Sequence, residues 1–150
     1  MSGTFAFSRA DEAARIADML MGRTPFSYRS GLFLAGPRRT GKSTFLRQDL
    51  APMLEARGVL TLYVDLWEDR GADPAALIAD KLRHCLARLA NPLQKIATAV
   101  GKVKLAGVEI ALADVGAKGG ITLADALQKI AQASGKPVAL IVDEAQHALT

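Results

Sequence analysis

The sequence predicts an α/β domain built on a mostly parallel sheet, and three observations carry that prediction. Short apolar runs, "LFLAG", "VLTLYVDLW" and "VALIV", alternate with amphipathic helical stretches instead of following one another directly. A glycine-rich turn, "GPRRTGKS", joins the first run to a helix. Two adjacent carboxylates, Asp143 and Glu144, close the last run. At 150 residues the chain is long enough to bury a core of its own.

Taken in order, Ser8 is placed to cap a helix over "ADEAARIADMLMG". Ala13, Ile16, Ala17 and Leu20 form its apolar stripe, and Gly22 lies past its end. The turn-rich "RTPFSYRSG" leads to the expected strand "LFLAG" and then the glycine loop. An amphipathic helix follows, "KSTFLRQDLAPMLEARG", which Pro52 bends and Gly58 stops. "VLTLYVDLW" reads as a second buried strand. Asp73 and Pro74 signal the start of a helix running to Leu89. "NPLQKIATAVG" is expected to be a short helix, and "KVKLAGVEIAL" a hairpin turning at Ala106 and Gly107. "DVGAKGG" is loop, Thr122 starts the helix "LADALQKIAQAS", Gly135 closes it, and Pro137 precedes the last strand. The domain organisation expected is an N-terminal helix and connector over 1–30, then one domain over 31–150 with a helical and hairpin insertion at about 74–120.

Half of the residues are hydrophobic and 23% are charged, a globular composition rather than a disordered one. No apolar run reaches the ~18–20 residues that a spanning helix needs, so no membrane association is expected. The N-terminus lacks a basic stretch followed by an unbroken apolar one, so no secretory signal is expected. The single cysteine, Cys85, leaves no internal disulfide framework and suits a reducing, cytoplasmic setting. A net charge of +4 and a pI near 9.5 are compatible with a phosphate-bearing partner.

The loop carries the chemistry. Gly36, Gly41, Lys42 and Ser43 satisfy G-x-x-x-x-G-K-[ST], a match expected by chance in roughly one chain of this length in a few hundred. Glycines at its ends let the backbone turn sharply and approach a ligand without a Cβ in the way. Successive N–H groups from Arg39 to Ser43 then converge on phosphate oxygens at the start of a helix, where the macrodipole favours negative charge. Pro37, Arg38 and Thr40 complete the cradle, Lys42 reaches the β- and γ-phosphates, Ser43 ligates Mg²⁺, and Thr44 is placed nearer the nucleoside.

Asp143 ends an apolar strand, and in open α/β sheets ligands bind outside the carboxyl ends of the strands. That position suits a holder of Mg²⁺, directly or through water. Glu144 points elsewhere and is the candidate base that polarises water for attack on the γ-phosphate.

"GPRRTGKST" together with "LIVDEAQ" resembles the Walker A and Walker B motifs of P-loop NTPases. Glu144 places the resemblance in the additional-strand catalytic-Glu branch. The order of loop, "YVDLW", helical insertion and "DEAQ" is similar to bacterial and archaeal AAA-type ATPases. The resemblance covers most of the chain. It implies a three-layer P-loop sandwich, ATP and Mg²⁺ as ligands, and ATP hydrolysis that drives a conformational change. Lys42 and Glu144 would be the catalytic residues. A nucleotide-gated binding module with little turnover is the alternative, and a homo-oligomer, a DNA partner or a protein partner would each be compatible. In this branch a later strand lies between the loop strand and the Asp143 strand. The sheet is therefore expected to be incomplete at its C-terminal side, and residues 1–150 to be the N-terminal part of a longer, cytoplasmic ATPase.

Other residues carry blander expectations. Arg38 and Arg39 are expected to be solvated, and Lys95, Lys102 and Lys104 to form a solvated face. Gln146 is divided between sensing the γ-phosphate and capping a helix. His147 has no partner in the sequence pattern. His84 and Cys85 lack a second Cys or His at ligand spacing. Trp67 is expected to pack, and Asp65 is the lesser candidate to face the nucleotide.

Overall fold

The computed structural model describes residues 8–25, 31–89, 102–105 and 108–148, with the backbone alone for 102–105 and 108–110. Ala13, Ile16 and Ala17, spaced along one helical face, are buried in α1 (Ala10–Leu20), while Asp11, Glu12 and Arg15 lie outside that stripe. Ser8 does not cap this helix. Arg9 occupies the cap position, and the Ser8 hydroxyl instead donates to Asp49 Oδ1 at 3.4 Å.

Residues 31–37 are not a strand, a correction to the reading of "LFLAG". A strand exists only as part of a ladder, and no ladder among the described residues includes this run. Phe33 is consequently 93% exposed. A helical run then extends from α2 (Lys42–Thr44) through a wide π segment, Phe45–Leu50, into α3 (Ala51–Ala56). This wide segment lies just before Pro52, where the sequence predicts a bend. Pro52 has no N–H for the Gln48 carbonyl and its ring would collide with it, and a widened turn just before it relieves both problems. Gly58, at φ +80°, ends the run as expected.

Two compact units divide the chain: Met1–Gly58, which holds the elements above, and Val59–Thr150. The second unit runs through β1 (Leu60–Asp65), α4 (Pro74–Leu89), β2 (Lys102–Leu105), β3 (Val108–Ala111), α5 (Leu123–Ser134) and β4 (Val138–Asp143). Asp73 caps α4 by accepting from Ala76 N at 3.0 Å, and Thr122 caps α5 by accepting from Asp125 N at 3.1 Å. β2 and β3 form the expected antiparallel hairpin, Lys102 opposite Ala111. The helix expected over "NPLQKIATAVG" and the hairpin turn at 106–107 lie outside the described residues.

β1 and β4 pair in parallel, from Leu60 opposite Val138 to Asp65 opposite Asp143. Alternation along β1 sends Leu62 into a core with Leu82, Leu86, Val115, Ala126 and Ile130, and sends Tyr63 and Asp65 to the other face. Cys85 lies in the same core, where burial pushes its thiol above the usual range against the opposing pull of Arg88. Arg83 ties α4 to the loop before α5, donating to Leu112 O at 3.0 Å and Val115 O at 2.9 Å. That loop needs glycine at 120, because a Cβ there would stand 2.2 Å from Asp114 O. The chain is thus mixed α/β, and among the described residues its parallel sheet has two strands.

Candidate functional site

The glycine loop folds onto its own lysine. Lys42 Nζ donates to Gly36 O at 2.7 Å and to Pro37 O at 2.8 Å, so two of the three ammonium donors lie inside the turn. Thr40 Oγ1 donates to Pro37 O at 2.8 Å and braces the same carbonyl. Gly41, at φ +79°, delivers the chain into the helix, and Phe45 N donates to Gly41 O at 2.8 Å. Arg39 also has a positive φ, +64°, which a non-glycine residue adopts at a cost. At Gly36 a Cβ would sit 3.5 Å from Thr40 Oγ1 and 3.9 Å from Lys42 Nζ, filling the cup of the loop. Arg38, Arg39 and Thr44 are exposed, and Ser43 is half-buried at the first helical turn.

A cleft of about 550 Å³ opens on this loop, with Gly36, Pro37, Thr40 and Lys42 on one side and Arg9, Glu12 and Phe45 on another. Arg9 is held twice over. Its guanidinium pairs with Glu12 at 2.6 Å and stands 4.7 Å from the Phe45 ring centre. Arg9, Glu12 and Phe45 were not legible as site residues. Phe45 follows the loop directly in the chain, whereas Glu12 in α1 and Arg9 just before it belong to a stretch that no motif marks, and only packing within the first unit brings those two to the loop.

The carboxylates belong to the second unit. Asp143 is 5% exposed, unusual for a charged side chain, and its oxygens are met from two directions. Glu144 N donates to Oδ1 at 2.9 Å, and the Tyr63 hydroxyl donates to Oδ2. Tyr63 was also missed by sequence reasoning, because nothing in "LYVDLW" says which residue of another strand it faces. Asp65 lies beside Asp143 in register, but its Oδ1 accepts from Trp67 N at 2.9 Å within its own turn.

Glu144 has φ +56°, so the backbone turns sharply as it leaves β4 and carries the two carboxylates in different directions. Gln146 Nε2 donates to Glu144 Oε2, which places Gln146 beside the candidate base. A short 3-10 turn, Ala145–Ala148, follows. His147, without an evident partner in the sequence, meets Trp67 edge to face at 4.7 Å, and Arg70 stacks on the same indole at 3.4 Å. Trp67 therefore packs. His84 is exposed, with its Nδ1 3.3 Å from Asp80, while the neighbouring Cys85 faces the core.

The Ser43 hydroxyl in the first unit and the Asp143 carboxylate in the second are each hard oxygen donors of the kind that Mg²⁺ takes. No helix among the described residues is long and apolar enough to cross a membrane. No family model, curated protein or solved structure matches the chain.

Proposed function

We propose that the protein binds Mg²⁺–ATP and hydrolyses it to drive a conformational change, as a cytoplasmic P-loop ATPase of the AAA type. The observation that carries the reading is the Lys42 ammonium turned into its own glycine loop, between the carbonyls of Gly36 and Pro37, with a cleft beside it. A phosphate chain offers that ammonium stronger, charge-assisted partners than two neutral carbonyls do. The loop N–H groups from Arg39 to Ser43 would hold the phosphates with Lys42. Ser43 and Asp143 would hold the metal, which when bound neutralises charge building up between the β- and γ-phosphates. Glu144 would take the proton of the attacking water.

The parallel pairing of β1 with β4, ending on Asp143, supports the P-loop three-layer sandwich as the architecture. A binding module with little turnover is the second reading. It is favoured by the Gln146 amide, which engages the carboxylate that would have to meet water.

Replacing Lys42 by alanine tests the assignment. Calorimetry should show ATP affinity reduced by roughly 10- to 100-fold, the scale of a hydrogen-bonded charge removed. Unchanged affinity would remove the loop from the site. Phosphate release from the wild-type protein separates the two readings, since ATP bound without turnover leaves the binding module.

A further inference from the structure

Asp143 is a buried carboxylate at the end of a strand, and a carboxylate there needs donors that fix its plane. One donor is local, the N–H of Glu144. Another comes from 80 residues away, the hydroxyl of Tyr63. The register explains its reach. Tyr63 stands opposite Ile141, and Asp65 opposite Asp143. Side chains two residues apart share a face, and a long side chain leans along its strand to the diagonal neighbour on the next one. A tyrosine at position 63 therefore delivers its hydroxyl to Asp143, which a shorter side chain would not reach.

We propose that Tyr63 is the positioning residue for the metal-side carboxylate: its hydroxyl holds Asp143 Oδ2 and sets how the group presents itself to Mg²⁺. The inference rests on the Mg²⁺–ATP reading and adds a residue that the loop and the carboxylate pair do not name. Partners that orient a metal ligand change metal affinity by about 10–100-fold when removed. Tyr63 touches neither nucleotide nor water in this scheme. Its removal should therefore act through the metal alone.

The test is Tyr63→Phe in the full chain, with ATP binding titrated against Mg²⁺ by calorimetry and folding followed by thermal melting. The Mg²⁺ concentration for half-saturation should rise about 10-fold or more, while affinity for ATP without Mg²⁺ stays within two-fold. In an Asp143→Asn background the same substitution should add nothing to the Mg²⁺ response. A lower melting temperature with an unchanged Mg²⁺ response would overturn the proposal and leave Tyr63 structural. Should Tyr63→Phe fail to fold, Tyr28→Phe leaves Tyr63 the only one of the two tyrosines. The fluorine resonance of fluorotyrosine-labelled protein should then move when Mg²⁺ is added to the ATP-bound form, and a resonance indifferent to Mg²⁺ overturns the proposal. Wild-type protein that binds ATP with no response to Mg²⁺, or binds none, sinks the underlying reading instead, so the two failures are told apart.

Discussion

The glycine loop and the end of β4 share one backbone feature: each carries a non-glycine residue at positive φ, Arg39 at +64° and Glu144 at +56°. They are stabilised in opposite ways. Every hydrogen bond described in the loop spans six residues or fewer, from Lys42 back to Gly36 and Pro37 and from Thr40 to Pro37. At the strand end the Asp143 carboxylate is gripped across 80 residues by Tyr63, and its strand is aligned by a parallel partner. A site made of local bonds can be written as a motif. One made by strand pairing depends on a register that forms only with the core.

The largest break in this symmetry should come from Glu144→Gln. If the strand end carries the base, turnover falls by about 10²- to 10⁴-fold, measured as phosphate release, while Mg²⁺–ATP binding by calorimetry is retained. Turnover within a few-fold of wild type would leave Glu144 a turn residue only.

Next in size is Leu82→Ala, which attacks the core under β1. Leu82 is fully buried, and its truncation should cost about 2–5 kcal/mol in urea unfolding. Lys42→Ala, which touches only local loop bonds, should shift the unfolding midpoint far less even as it weakens ATP binding by roughly 10- to 100-fold. Equal losses from the two would erase the distinction between a local and a non-local site.

The Arg39→Gly variant sharpens the comparison from the other side. Glycine adopts φ +64° without the Cβ penalty, so stability should be unchanged or rise by up to about 1 kcal/mol, read by urea unfolding. A clear loss would mean that the Arg39 side chain holds the loop.

The smallest effect concerns Cys85. Burial raises its thiol pKa in the folded chain, so the unfolded thiol ionises first as pH rises. Its contribution to stability is therefore complete below the unfolded value, near 8.5, and declines as pH climbs from there through the folded value. Comparing urea midpoints at pH 7 and pH 9.5 for wild type and Cys85→Ala isolates that decline. Slow modification by a thiol reagent should accompany it.

By itself the sequence determined what local chemistry dictates. Asp73 and Thr122 started α4 and α5 because a short polar side chain satisfies an orphan N–H wherever it precedes a helical run. Gly41 and Gly58 marked turns because only glycine takes positive φ without penalty. The loop could be read for the same reason, since its contacts lie within reach of its own residues. Local pattern misled where a partner was required. "LFLAG" has the composition of a buried strand, yet composition supplies no second row of backbone groups, and residues 31–37 form none. Ser8 had the right residue type for a cap, but Asp49 offered its hydroxyl another partner. Tertiary structure alone decided that Tyr63 meets Asp143 and that Arg9 and Glu12 line the cleft beside Lys42. Those contacts depend on register and helix packing, which are settled by the whole buried surface rather than by any stretch of chain.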